Sequence, residues 1–255
     1  MANEIARTKI LGVGVSAVDM PMAVATVRRW VQEGRQNYAI FRDIHGVMQC
    51  QNDDELQRIH SNAGLVAPDG MPLVWLSQWR GQRQVQRVYG PDFMLEICRA
   101  SIVAGERHFF YGGAPGVADR LAMKLKDRLP GLVVAGTYCP PFRPPTSSEE
   151  EQVVQLINRS HADYVWVGLS TPKQERWMAR NIGRLQAPAL LGVGAAFDIH
   201  SGIKRQAPLW MQRNGLEWAF RLMSEPRRLW KRYIYLAPKF VLLVAYEFLT
   251  SRSIG

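Results

Sequence analysis

Cysteine is scarce: only Cys50, Cys98 and Cys139 occur in 255 residues, odd in number and far apart. That excludes a disulfide framework and a cysteine-held metal site, and it points to a reducing cytosol. The histidines His45, His60, His108, His161 and His200 are equally dispersed, none at metal-ligand spacing with a cysteine or carboxylate. No Asp-x-Asp pattern is present, so a carboxylate-held metal on a diphosphate has no local signature and metal-independent chemistry is expected. There is no P-loop, and the glycines at 192 and 194 lack the GxGxxG form, which argues against dinucleotide binding. Long hydrophobic runs are missing too. The opening MANEIARTKI has no charged-then-apolar signal pattern. The longest apolar stretch, 233–249, is broken by Pro238, Lys239 and Glu247. It falls short of the roughly 20 residues of a membrane span, and no transmembrane segment is expected.

What is present describes a globular protein. Apolar residues make up 47% and charged residues 21%, enough for one core or one core with a small appendage. Acids are outnumbered 22 to 32, for a formal charge of +10. From Ile203 onward ten basic residues face only three acids, Glu217, Glu225 and Glu247. A basic end implies an anionic partner.

Short β-rich runs alternate with helix-period segments. The runs 10–15, 38–42, 65–67, 108–111, 132–135, 164–167 and 190–193 read as strands. Several are apolar without alternation, as strands covered on both faces should be. Helices are expected at 21–33 (capped by Asp19), 53–62, 72–80, 92–104, 117–129, 148–160 and 172–181. The alternation predicts an α/β fold, a Rossmann-like, mostly parallel sheet with helices on both faces. A composition change near 200–205 divides an α/β domain, 1–202, from a basic helical appendage, 203–255. In parallel sheets ligands gather beyond the carboxyl ends of strands, so residues just after each strand matter most.

Asp69 lies in Pro68-Asp69-Gly70, after the 65–67 run and before a helix. Aspartate there is commonly a turn or cap residue; as a catalytic base it would need to reach an acceptor hydroxyl. Both readings stay open at this level. Gly112-Gly113 closes the 108–111 run. It is either a tight turn or a place where backbone N–H groups approach a phosphate or sugar. Gly168 opens the stretch GLSTPKQE, whose Gln174 and Glu175 sit in a first helical turn. They supply either helix-start polarity or hydrogen bonds to a ligand.

On one helix from Pro226, at about 100° per residue, Arg227, Arg228, Lys231, Arg232 and Lys239 share an arc. Leu229, Trp230, Tyr233, Ile234, Ala237, Phe240, Val241 and Val244 share the opposite arc, and Pro238 should kink or split the helix. Such a segment suits docking on a core, an anionic membrane surface, or a diphosphate gripped by arginine.

Several stretches in order resemble the WecG/TagA/CpsF family of bacterial glycosyltransferases across about residues 10–245. They are PDG at 68–70, RVYGPD at 87–92, FYGG at 110–113, VGLSTPKQE at 167–175 and GVGAAFD at 192–198. They continue through QAP at 206–208, GLEW at 215–218, Arg221-Leu222, EPRR at 225–228 and Arg232-Tyr233. The resemblance implies an inverting, metal-independent transferase with no cofactor, acting in cell-surface or exopolysaccharide synthesis. Its donor would be a UDP-sugar (N-acetylmannosamine, glucuronic acid or a related hexose) and its acceptor polyprenyl-diphosphate-linked. It implies Asp69 as the base, Gln174 as a site residue, and appendage arginines Arg221, Arg227, Arg228 and Arg232 closing over the site. It further implies a cytoplasmic enzyme, peripheral on the inner face of the cell membrane, that forms homo-oligomers.

One departure stands beside Asp69. The family usually shows Thr-x-Asn after the second strand, and this chain has Asp43-Ile44-His45. A second carboxylate could raise the proton affinity of Asp69, and His45 could polarise a hydroxyl or act as an alternative base. Asp69, Asp43 and His45 are therefore the catalytic candidates. Gly112, Gly113, Gly168, Gln174, Glu175, Arg221, Arg228 and Arg232 are the candidates for substrate binding. A nucleic-acid-binding reading of the basic tail leaves the strand-end motifs without a role, so no nucleic acid partner is expected. The alternative to an enzyme is a non-catalytic, membrane-associated scaffold of a polysaccharide assembly complex.

Overall fold

The computed structural model describes residues 5–252, apart from the side chains of Arg213, Arg228, Arg232, Ser251 and Arg252. It opens with a hairpin, β1 (Arg7–Ile10) and β2 (Val13–Ser16). The 10–15 run expected as one strand is thus a turn between two. Leu11 and Gly12 adopt φ of 47° and 79°, a left-handed pair that reverses the chain.

Next come α1 (Met20–Gln32), β3 (Asn37–Arg42), α2 (Ile44–Cys50), α3 (Asp54–Asn62), β4 (Leu65–Pro68) and α4 (Met71–Trp79). They are followed by α5 (Gly90–Ser101), β5 (Arg107–Gly112), α6 (Val117–Arg128), β6 (Val133–Tyr138) and α7 (Ser147–Arg159). β7 (Tyr164–Gly168), α8 (Lys173–Asn181), β8 (Ala189–Gly192) and α9 (Ala196–His200) complete the α/β part. Asp19 caps α1 by accepting from the Met22 amide, as expected. Helix α2 was not expected. Asp43 starts it by accepting from the Gly46 amide at 3.1 Å.

β3 to β8 form one sheet in the order β4-β3-β8-β7-β5-β6, every neighbouring pair parallel. All the strand-end turns therefore open on one edge. Successive strand residues serve two cores. Ile40, Val66, Val165 and Leu190 pack with residues of α3, α7 and α8 on one face. Phe41, Ala67, Trp166 and Leu191 pack with α1, α5, α6 and α9 on the other. Each buried aliphatic contributes about 1.5–3 kcal/mol relative to exposure, which is why these strands are apolar on both sides.

The appendage comprises α10 (Leu209–Arg213), α11 (Glu217–Ser224), α12 (Pro226–Lys231), a π-helical turn (Arg232–Leu236) and α13 (Ala237–Arg252). Phe240 is buried with Ile10, Val13, Val47, Leu56 and Leu73 in a third core, which attaches α13 to the hairpin and α2. The π turn ends two residues before Pro238, whose ring and missing N–H are incompatible with regular α bonding to the turn before it. Leu229 and Phe240 are buried, whereas Trp230, Ile234 and Val241, expected on the same arc, are exposed. Counted through that turn, Leu229–Thr250 runs for 22 residues and contains a stretch long and apolar enough to cross a membrane by length and composition alone. The interruptions in the sequence had suggested a shorter stretch.

Candidate active site

A cavity of about 360 Å³ lies at the carboxyl ends of β3 and β4, under the appendage. Asp43, His45, Asp69, Arg87, Glu217 and Arg221 supply its polar lining, and Ile44, Met71, Trp75, Trp218, Tyr233 and Leu236 its apolar walls. The two strand-end turns are packed tightly. A Cβ on Gly70 would stand 3.2 Å from both Cα and Cβ of Asp43, closer than an ordinary carbon contact. The amides of Asp69 and Gly70 both donate to the Arg42 carbonyl, at 2.7 and 3.1 Å. The backbone thus presents Asp69 and Asp43 to one space.

Asp69 does not cap α4, whose start at Gly70 has no side-chain cap. Its carboxylate faces a polar ring instead. Arg87 donates through Nε to the Asp69 carbonyl at 2.5 Å, and through Nη2 to Asp69 Oδ1 at 3.3 Å and Glu217 Oε2 at 2.5 Å. Arg221 Nη2 meets Glu217 Oε1 at 2.6 Å and the Tyr89 hydroxyl at 3.5 Å. The Arg87 guanidinium lies over the Tyr89 ring, 4.2 Å from its centroid. Removal from water pushes Asp69 up to about 6; Arg87 and Arg221 pull it down, while Glu217 and Asp43 push it further up. A carboxylate titrating there is mostly ionised at neutral pH yet still binds a proton well, which suits a general base.

The chain matches the model of the glycosyl transferase WecG/TagA/CpsF family over residues 8–254. It belongs to the WecG/TagA/CpsF family. A relative from Bacillus subtilis (strain 168) is 30% identical over 187 residues, 73% of this chain and 70% of that protein. Its name is N-acetylglucosaminyldiphosphoundecaprenol N-acetyl-beta-D-mannosaminyltransferase. A protein of the same name from Staphylococcus aureus (strain MW2) is 24% identical over 232 residues, 90% of this chain and 88% of that one. The chain is therefore a glycosyltransferase.

In this WecG/TagA/CpsF chain the residues expected from sequence divide into two groups. Asp69, Asp43, His45 and Arg221 all line the cavity. Asp43 also caps α2, so at least one of its oxygens is committed to backbone. Gly112, Gly113 and Gly168 sit at the ends of β5 and β7, outside that lining, where the Gly113 amide donates to the Gly168 carbonyl at 3.0 Å. Their small size serves packing: a Cβ on Gly168 would fall 2.5 Å from the Phe197 ring.

Gln174 and Glu175 do not project into the cavity but are buried. Gln174 donates to the Gly192 carbonyl and to Glu175, each at 3.1 Å, and Glu175 is ion-paired with buried Arg42. The side chains of Arg228 and Arg232 lie outside the described residues. Sequence reasoning gave no role to Arg87 or Glu217, although both stand in stretches that resemble the family. Arg87 has no local pattern linking it to Asp69. Glu217 carried one signal, as one of three acids in a strongly basic segment.

Proposed function

We propose that the chain transfers an N-acetylmannosamine-type sugar from a UDP-sugar to a polyprenyl-diphosphate-linked acceptor, with inversion and without a metal. The carrying observation is Asp69, pushed up to about 6 in a cavity whose floor is charged and whose walls are apolar. The relatives' names supply the sugar and the class of acceptor. In the proposed reaction Asp69 takes the proton of the acceptor hydroxyl, whose oxygen bonds to the anomeric carbon as the bond to UDP breaks. The diphosphate leaves with the bonding pair, and cationic groups such as Arg221 and backbone N–H groups balance its charge. The exposed aromatics and basic residues of the appendage fit a peripheral position on an anionic membrane surface.

The test is transfer of labelled sugar from UDP-N-acetylmannosamine, UDP-glucuronic acid and UDP-hexoses to a short polyprenyl-diphosphate-N-acetylglucosamine. Activity with one donor that survives chelator and falls about 10²–10⁴-fold in Asp69→Asn is expected, the span of general-base catalysis. Wild-type rate in Asp69→Asn, or loss on chelation with recovery on metal, overturns the mechanism. Silence with every donor, together with no donor binding by calorimetry, favours the scaffold alternative.

A further inference from the structure

The ring around Asp69 contains a carboxylate from outside the α/β domain, that of Glu217 at the start of α11. It is buried, and each of its oxygens takes one arginine, Oε2 from Arg87 and Oε1 from Arg221. We propose that Glu217 is a positioning residue that shares Arg87 with Asp69, weakening the Arg87–Asp69 contact and so keeping Asp69 available as a proton acceptor. The inference rests on the reading of Asp69 as the base.

The geometry is a competition for one nitrogen. Arg87 is anchored by Nε to the Asp69 carbonyl and by its guanidinium face to Tyr89, so the side chain has little freedom to swing. Its Nη2 then lies between two carboxylates, 2.5 Å from Glu217 and 3.3 Å from Asp69. Charge-assisted N–H···O bonds run at about 2.7–2.9 Å, so the contact to Asp69 is long, while Glu217 bonds the same nitrogen. Without the Glu217 carboxylate, a small rotation brings Nη2 onto Asp69 Oδ1. Asp69 would then be locked in an ion pair and would be a poorer base. Arg221 follows the same logic, since Glu217 holds it as well.

The charged and titratable groups facing Asp69 come from every neighbouring element. Asp43 ends the β3 turn, Arg87 and Tyr89 precede α5, Glu217 and Arg221 lie on α11, and His45 and, from the π turn, Tyr233 share the cavity. Among them Glu217 is the carboxylate bonded to both arginines. Because it arrives on the appendage, Asp69 gains this environment only when α11 is seated.

The measurement is the titration of the Asp69 carboxyl carbon by NMR, in the full chain without substrates, with the signal assigned by its loss in Asp69→Asn. Glu217→Gln should move the midpoint downward by about one pH unit, the size of shift that a near charge imposes. Glu217→Asp is too short to hold both arginines and should move it the same way by less. It also carries the test if the glutamine variant does not fold. A midpoint unmoved in the folded variants overturns the proposal, since a merely structural Glu217 leaves it in place. The acidic limb of kcat/KM should move by the same amount. If the midpoint moves and the limb does not, the reading of Asp69 as the base fails while its coupling to Glu217 stands.

Discussion

Asp69 is where one side chain's surroundings become a rate. Its carboxyl is pushed up to about 6, chiefly by removal from water. Sugar transfer should therefore lose about tenfold per pH unit below about 6 and level off above it, read as kcat/KM against pH. The same shift has a stability consequence of opposite sense. A carboxyl that binds its proton more tightly folded than unfolded stabilises the fold below its unfolded value near 4, and loses that contribution as pH rises through about 6. Asp69→Asn should accordingly melt higher than the unsubstituted chain at pH 8, with the difference shrinking toward pH 4, measured by calorimetric Tm. An equal melting difference at both pH values would refute the linkage. The position of Asp69 after a strand was legible from Pro68-Asp69-Gly70, and so was the upward push from Asp43; its burial and the parts played by Arg87, Glu217 and Arg221 were not, because those residues lie 18 or more positions away.

At the scale of elements, Gln174 and Glu175 in the first turn of α8 join that helix to the sheet. Glu175 is fully buried against Arg42, the last residue of β3, and Gln174 reaches the end of β8. Removing one partner of a buried pair leaves an uncompensated charge, costing about 3–5 kcal/mol. Glu175→Gln should lower the urea midpoint correspondingly, with activity per folded molecule changed far less than in Asp69→Asn. No pattern near position 175 announces a partner 133 residues earlier. Strands fared better, since a run of apolar residues needs only cover on both faces. The hairpin was missed because Leu11 and Gly12 look like strand interior until their φ values are known.

For the whole molecule the issue is how the appendage is held and what it presents outward. Phe240 inserts into the third core, Arg80 binds Glu247 at 2.6 Å, and Trp79 lies against Phe248 with ring centroids 4.5 Å apart. One side of α13 is thereby fixed to α4 and the hairpin, while Val241, Leu242, Tyr246 and Leu249 of α13 are exposed, as are Ile234 and Tyr235 of the π turn. A chain ended before Arg221 should retain no transfer activity, because it lacks Arg221 and the walls formed by Tyr233 and Leu236. Lys231→Ala with Lys239→Ala should weaken sedimentation with anionic vesicles about thirty-fold at low salt, at ~1 kcal/mol per basic residue. Unchanged vesicle binding would remove the membrane-facing role of this surface.

The sequence by itself determined the alternation of strands and helices, the parallel sheet covered on both faces, the basic end and the strand-end turn bearing Asp69. These are written in periodicities and turn residues a few positions apart, which can be read from short stretches of the chain. Only the tertiary structure decided that Gln174 and Glu175 turn inward, and that Glu217 and Arg87 meet. Those outcomes depend on distances between groups up to 133 residues apart, and such distances exist only once the sheet has closed its cores and the appendage has docked.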